Sequence, residues 1–337
     1  MLKAQPAPMR ILKTVLALVG LVVLGVLVHR VGSRAILETL QRLRWWQLLL
    51  ICLPYAVIMG VDTLGWRFAF RRDRAPFWRL YGARLVGEAL NVVTALGSVG
   101  GEAAKAWLVR THVTYEESVP AVIIAKTTNT IAQALFLSIG IVLAWMTLDV
   151  RSDILRGMLW LLGVEILAVA GFFGAQVAGL VGRGGRLLKK LGVIDDVQYA
   201  RKLDAALRNY YTRDWRRLTL SVAFHLVGWL LGGIEAFIML RALGLDVSVL
   251  VATTIESFGS GVRFASFLVP ASLGAFEGAN AAAFGVLGFG AGAGLAFSFV
   301  RRARQAVWIA VGVVLLAMTM AWSRARPARS SVGVADE

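Results

Sequence analysis

Six long apolar runs, each wide enough to cross a bilayer, limit the folds open to this chain more than any other feature. A helix crosses the hydrocarbon in about 20 residues, and residues 10–29, 46–70, 118–148, 154–181, 216–242 and 293–322 reach that length. Hydrophobic residues make up 58% of the 337 positions, more than the surface of a soluble fold can carry. The first run lacks a small-residue cleavage site and more spans follow it, so it reads as an uncleaved helix. The expectation is an all-α polytopic membrane protein, one integral membrane domain over residues 1–337.

The charge lies between these runs. The formal net charge is +16, and its most basic stretches are Arg71 to Arg79, Arg183 to Arg217, and a tail at 323–337 with Arg324, Arg326 and Arg329. The positive-inside rule puts all three in the cytoplasm and the chain in the inner (cytoplasmic) membrane, both termini inside. Anionic lipid headgroups suit such charge, and with no basic module of a known type a nucleic-acid partner is not expected. Residues 30–44, placed outside by this arrangement, run against the rule with four arginines. The lone cysteine, Cys52, permits no intrachain disulfide, and His29, His112 and His225 have no zinc-site spacing. No metal and no cofactor are expected, and without a phosphate-cradling Gly-Lys-Ser/Thr loop the energy for any transport would come from a gradient.

Two further apolar regions are broken by glycine, proline and charge. Residues 82–110 hold Gly97, Gly100 and Gly101, then Glu102 and Lys105; residues 249–286 hold Glu256, Arg263, Pro270, Gly274 and Glu277. Irregular backbone at membrane depth is tolerated where it is buried in protein or lines a wet cavity. Each region therefore reads as a re-entrant helical hairpin. Ala95 to Glu102 and Ala271 to Glu277 both set glycine just before an acidic residue. The first hairpin lies in a unit at 46–181 and the second in a unit at 216–322. Residues 183–215 between them form a cytoplasmic interfacial connection, with Leu203, Ala206, Leu207 and Tyr210 on one helical face. The two units enter from opposite sides, which is the inverted-repeat plan of many transporters.

Intramembrane polar residues are candidates for function because of what their burial costs. Lys126, Asn129 and Gln133 share a helix face. Arg301, with Arg302 and Arg304 beside it, lies about 13 Å into a helix begun near Gly292, and guanidinium suits carboxylate or phosphate. Glu256 and Arg263 are two turns apart, and Lys105 is one turn from Glu102. Glu277 follows the Pro270 and Gly274 break, where it either serves a site or caps a helix. Glu88 and Asn91 extend the first hairpin's polar face. Asp62 has no well-phased partner nearby and is a candidate proton-binding carboxylate or half of a salt bridge to another helix. Glu235 and His225 carry the same two readings. No nucleophile, base and orienting group come together, so an enzyme is not indicated and no catalytic residue is named.

These motifs carry a family resemblance. Gly87 to Asn91 leading to Gly97, then Val99 to Glu102 and Lys105 to Arg110, resembles the first signature of the lysylphosphatidylglycerol synthase transmembrane family. Its members are flippase-like domains, found also in multiple peptide resistance factor. Pro270 to Gly278 resembles the second signature, and Val300 to Gln305 with Trp308 the final arginine helix. Glu256 to Arg263 with Arg301 to Arg304 looks closest to the hopanoid-biosynthesis-associated branch. The chain departs from the family where a proline is common near Thr94 and where an acidic–arginine pair is replaced by Ala125 and Lys126. The resemblance implies a lipid-translocating domain without an aminoacyltransferase, acting on a phospholipid or hopanoid-type lipid. Glu88, Asn91, Glu102, Lys105, Lys126, Asn129, Glu256, Arg263, Glu277, Arg301 and Arg302 would line the headgroup cavity. Two alternatives stay open: a non-catalytic partner of a lipid-synthesis complex, and a lipid-modifying transferase using Asp62, Glu102 or Glu277 as base. The glycine-rich stretch Gly285 to Gly294 suits helix packing within or between subunits, including a homo-oligomer.

Overall fold

A computed structural model describes residues 44–72, 75–93, 98–147, 153–179 and 197–325, with residues 18, 22, 24–26, 28, 29, 34, 37, 38 and 41. Ten α-helices are described: α1 (Trp45–Ala69), α2 (Phe77–Val93), α3 (Ser98–Leu108), α4 (Tyr115–Thr147), α5 (Asp153–Val177), α6 (Val197–Arg213), α7 (Trp215–Ala242), α8 (Val249–Ala265), α9 (Ala275–Val286) and α10 (Ala291–Ala325). No strand occurs among the described residues. Hydrocarbon supplies no partners for backbone N–H and C=O groups, and helices satisfy them internally. Five of these helices are long and apolar enough to cross a membrane: Leu49–Ala69 of α1, Tyr115–Thr147, Asp153–Val177, Trp215–Ala242 and Ala291–Ala321 of α10. They coincide with five of the six expected spans; most of the sixth, at 10–29, lies outside the described residues, as does Gly97.

The chain is a multi-pass integral membrane protein built around the antiparallel pair α1 and α7. Ser221 donates to the Gly65 carbonyl at 2.8 Å, while His225, one turn later on α7, meets Asp62, one turn earlier on α1. The start of α2 (Leu80, Ala83) and the end of α3 (Ala106, Val109) share one hydrophobic cluster with Trp66 and Phe70 at the end of α1. The start of α8 (Ala252, Ile255) and the end of α9 (Ala283, Phe284) share another with Met239 and Leu240 at the end of α7. Because α1 and α7 are antiparallel, the two short-helix pairs are rooted at opposite ends of the bundle. Each also packs on the far unit: α2 on α10, and α8 on α4.

Helix α6 lies across the end of the bundle where α1 stops. Leu207 and Tyr210 are buried, and Tyr210 Oη donates to the Phe68 carbonyl at 2.9 Å. Lys202 pairs with Glu116 at 2.9 Å.

Glycines set the closest approaches. Helices α2 and α3 cross at Gly87 and Gly101, where a Cβ on Gly101 would overlap the Gly87 carbonyl oxygen and the Asn91 side chain. The Gly101 N–H donates to Asn91 Oδ1 at 3.0 Å. The α8–α9 connection is tighter still, with Ala271 and Ser272 both at φ 51° and Gly274 at φ 77°. A left-handed conformation costs a residue with a Cβ about 1–2 kcal/mol, so this turn is held by its surroundings.

Substituting Gly101→Ala forces backbone apart and is expected to destabilise the protein by about 1–3 kcal/mol. Gly82→Ala, where an added Cβ meets nothing within 4 Å, should leave stability unchanged or slightly raised. Thermal melts of the two purified variants in mild detergent check the contrast.

Candidate functional site

Three charge clusters form where the short helices meet the long ones. In the first, Asp62 of α1, seven residues before that helix ends, accepts from Arg84 Nη2 of α2 at 2.9 Å. Its other oxygen meets His225 Nδ1 of α7 at 2.9 Å. A carboxylate can only accept, so the ring carries its proton on Nδ1. Two glycines make room: a Cβ on Gly65 would lie 2.7 Å from the His225 ring, and one on Gly228 would lie 2.8 Å from Asp62 Oδ1.

The second cluster gathers four arginines. Glu256 of α8 accepts from Arg263 Nη2 at 2.9 Å and pairs with Arg301 Nη2 of α10 at 2.6 Å. Glu235, seven residues before the end of α7, faces Arg301 at 3.6 Å and Arg304 at 3.4 Å. Arg304 also lies 4.2 Å over the Tyr55 ring, a cation–π contact that holds it beside the cavity. Arg302 pairs with Glu277 at 2.8 Å. The second oxygen of Glu277 accepts from the Gly274 N–H at 2.8 Å and caps α9, the capping reading of the sequence.

The third cluster is smaller. Lys105 of α3 is buried and reaches Glu102 at 3.1 Å and Glu88 of α2 at 3.3 Å. Asn129 accepts from Trp229 Nε1 at 2.9 Å, and Gln133 donates to the Ser260 carbonyl at 2.9 Å. Lys126 is exposed on one side and lines a small void with Arg84, Glu88, Glu102, Lys105 and Asn129.

A cavity of about 360 Å³ connects the first two clusters. Asp62, Arg84 and Glu88 line one part of it, and Glu235, Glu256, Arg263, Arg301, Arg302 and Arg304 another. Asn129, Trp229 and Tyr55 fill in its wall, and the left-handed pair Ala271 and Ser272 brings backbone to its edge. Among the described residues, several in the lining keep buried N–H groups without an acceptor: Arg84 Nε, Arg263 Nη1, Arg301 Nε and Arg304 Nε. Glu235 Oε1 is a buried acceptor without a donor, so unpaired donors still outnumber it, which favours a ligand rich in oxygen.

Of the residues singled out in the sequence, Asp62, Glu88, Asn129, Glu256, Arg263, Arg301 and Arg302 line this cavity. Glu277 stands behind Arg302, and Glu102, Lys105 and Lys126 line the neighbouring void that shares Arg84 and Glu88. Asn91 is bound up in the helix crossing at Gly101. Asp62 has the cross-helix salt bridge of its second reading, with Arg84 as partner. Arg84 was missed because it follows the basic 71–79 stretch closely and reads as surface charge. Arg304 is one turn from Arg301, and that i, i+3 spacing was the signal that both reach Glu235.

Comparison with known proteins gives a consistent picture. The family described as lysylphosphatidylglycerol synthase TM region matches residues 10–327. A relative named UPF0104 membrane protein, from Methanothermobacter thermautotrophicus, is 24% identical over 284 residues, covering 78% of this chain and 82% of the relative. No solved structure is a significant match.

Removing one partner of a buried pair leaves the other charge uncompensated, at about 3–5 kcal/mol. Asp62→Asn and Arg84→Met are each expected to lower the melting temperature sharply, and the double variant to recover much of the loss. A double-mutant cycle in detergent measures this; additive losses would contradict the pairing.

Proposed function

Because the chain belongs to the lysylphosphatidylglycerol synthase TM region family, we propose that it moves a polar or anionic lipid across the bacterial inner membrane. The lipid is a phospholipid or hopanoid-type molecule whose headgroup enters the cavity while its tails stay in hydrocarbon. One observation carries the reading: a cavity within a helical membrane domain, lined by five arginines, four of which keep a buried N–H without an acceptor. Phosphate or carboxylate oxygens would satisfy those donors, and guanidinium binds such groups in a bidentate fashion. Charges of this density in a membrane interior are costly, which is why they mark substrate paths.

The architecture supports movement rather than static binding. We read α2–α3 and α8–α9 as re-entrant hairpins from opposite faces, in two units related as an inverted repeat. Their roots at opposite ends of the antiparallel α1–α7 pair support this, as does the reciprocal packing of α2 on α10 and α8 on α4. So do Asp62 and Glu235, each seven residues from the end of its helix. In such a plan the two hairpins alternate in sealing a fixed central site. Glu235 and Glu256 hold the arginines in place between loads, and an incoming headgroup exchanges with them rather than meeting bare charge.

A lipid-scrambling assay in proteoliposomes, with fluorescent lipids of anionic, zwitterionic and neutral headgroup, tests the reading. Wild type is expected to move the anionic probe fastest. Arg301→Ala and Glu277→Gln should each cut that rate at least about tenfold, the effect of losing about 1.4 kcal/mol at the rate-limiting barrier. Variants that scramble like wild type would remove the cavity from the mechanism.

A further inference from the structure

Helix α5 carries one acidic residue in its interior, Glu165, and it belongs to none of the clusters above. It is the thirteenth of 25 residues, about 18 Å from either end of the helix and so near the bilayer midplane. Its side chain is fully buried, and among the described residues neither carboxyl oxygen has a hydrogen-bond partner. Helix α5 packs on α4, α6, α8 and α9. Their ionisable groups nearest the membrane interior are Lys126 on α4, Tyr211 on α6, Glu256 and Arg263 on α8, and Glu277 on α9. Among the described residues no hydrogen bond joins any of these groups to Glu165. Tyr211 donates to Gln176, three turns further along α5, while Glu256, Arg263 and Glu277 are committed around the cavity.

The local register explains what surrounds it. Helices α5 and α8 run side by side in the same direction, with Gly157 against Phe258 and Leu161 against Gly261. One turn further on, Glu165 comes level with Ala265, the last residue of α8. The Val262, Arg263 and Phe264 carbonyls at that end accept from Ser266 and Phe267, and what remains beside Glu165 is the negative end of the α8 dipole. Such a neighbour disfavours a carboxylate relative to a neutral carboxylic acid. An unpaired charge buried in such a place is far more expensive than a neutral acid.

From this geometry we infer that Glu165 is a proton-binding site in the membrane interior, separate from the cavity and adjoining the end of α8. The residues beyond that end lead to the left-handed turn at Ala271 and Ser272 that edges the cavity. Loss of the proton would leave a carboxylate beside the negative end of α8, and relief comes by separating the two. The proton site therefore bears on the position of the second short-helix pair. It stands on burial and packing alone, whether or not the chain moves lipid.

Infrared spectroscopy of the protein in phosphatidylcholine nanodiscs tests the site without any transport measurement. Wild type at neutral pH is expected to show the C=O stretching band of a carboxylic acid. Glu165→Gln should lose that band and Glu277→Gln should keep it. Glu165→Leu, which suits an apolar setting, provides a second folded variant should the glutamine form fail. A wild-type spectrum with no acid band at neutral pH, or a full band surviving in either Glu165 variant, would overturn the inference. The melting temperature gives a second readout: Glu165→Gln should gain on wild type as pH rises, because only wild type then acquires a buried charge. A difference that stays flat with pH argues the same way as a surviving band.

Discussion

A charge inside a bilayer must be answered by protein, because neither water nor lipid tails will do it. That constraint orders the interior of this molecule. Asp62 is met by an arginine and a histidine from two other helices, and Glu256 by two arginines. All but Glu256–Arg263, which spans two turns of α8, cross from one helix to another, so the charges fix which helices can be neighbours. A buried pair adds little net stability over an apolar core of the same shape. Its retention at this density therefore points away from packing and towards a ligand that shares the same charges.

The glycines and prolines do the complementary work. Gly65 and Gly228 leave space for the His225 ring and the Asp62 carboxylate, so the first cluster exists because two side chains are missing. Pro270 opens the turn that Glu277 closes by capping α9, and the same carboxylate then orients Arg302. One residue thus ends a local structural problem and begins a chemical one. The sequence leaves capping and function as alternatives for Glu277, and the structure shows the cap together with an ion pair to Arg302, since a carboxylate has two oxygens.

The spans were legible because length and apolarity are summed over 20 or more residues, and errors at single positions cancel. The broken regions were legible because glycine, proline and charge are rarely found together at membrane depth. Partnerships were harder to read. Asp62 and Arg84 are 22 residues apart and on different helices, and no periodicity links them. Asp62 and His225 are 163 apart. Glu165 was overlooked altogether, since one acid in an apolar run scarcely alters the mean hydropathy of its window. What the sequence conceals is three-dimensional pairing, and pairing is what separates a cavity from a list of polar residues.

The close crossing at Gly87 and Gly101 has a mechanical consequence. No layer of side chains separates α2 from α3 where Gly87 meets Gly101, and Gly312 of α10 comes nearly as close to the Leu85 carbonyl on the other side of α2. Gly294 of α10 sits against the Asn280 backbone of α9 in the same way, so α2, α3, α9 and α10 pack as one close-set group. It carries Arg84, Lys105, Arg301, Arg302 and Arg304, while Asp62, His225 and Glu235 ride on the α1–α7 post. The ion pairs Asp62–Arg84 and Glu235–Arg304 both join that group to the α1–α7 pair, so two charged contacts hold the same seam.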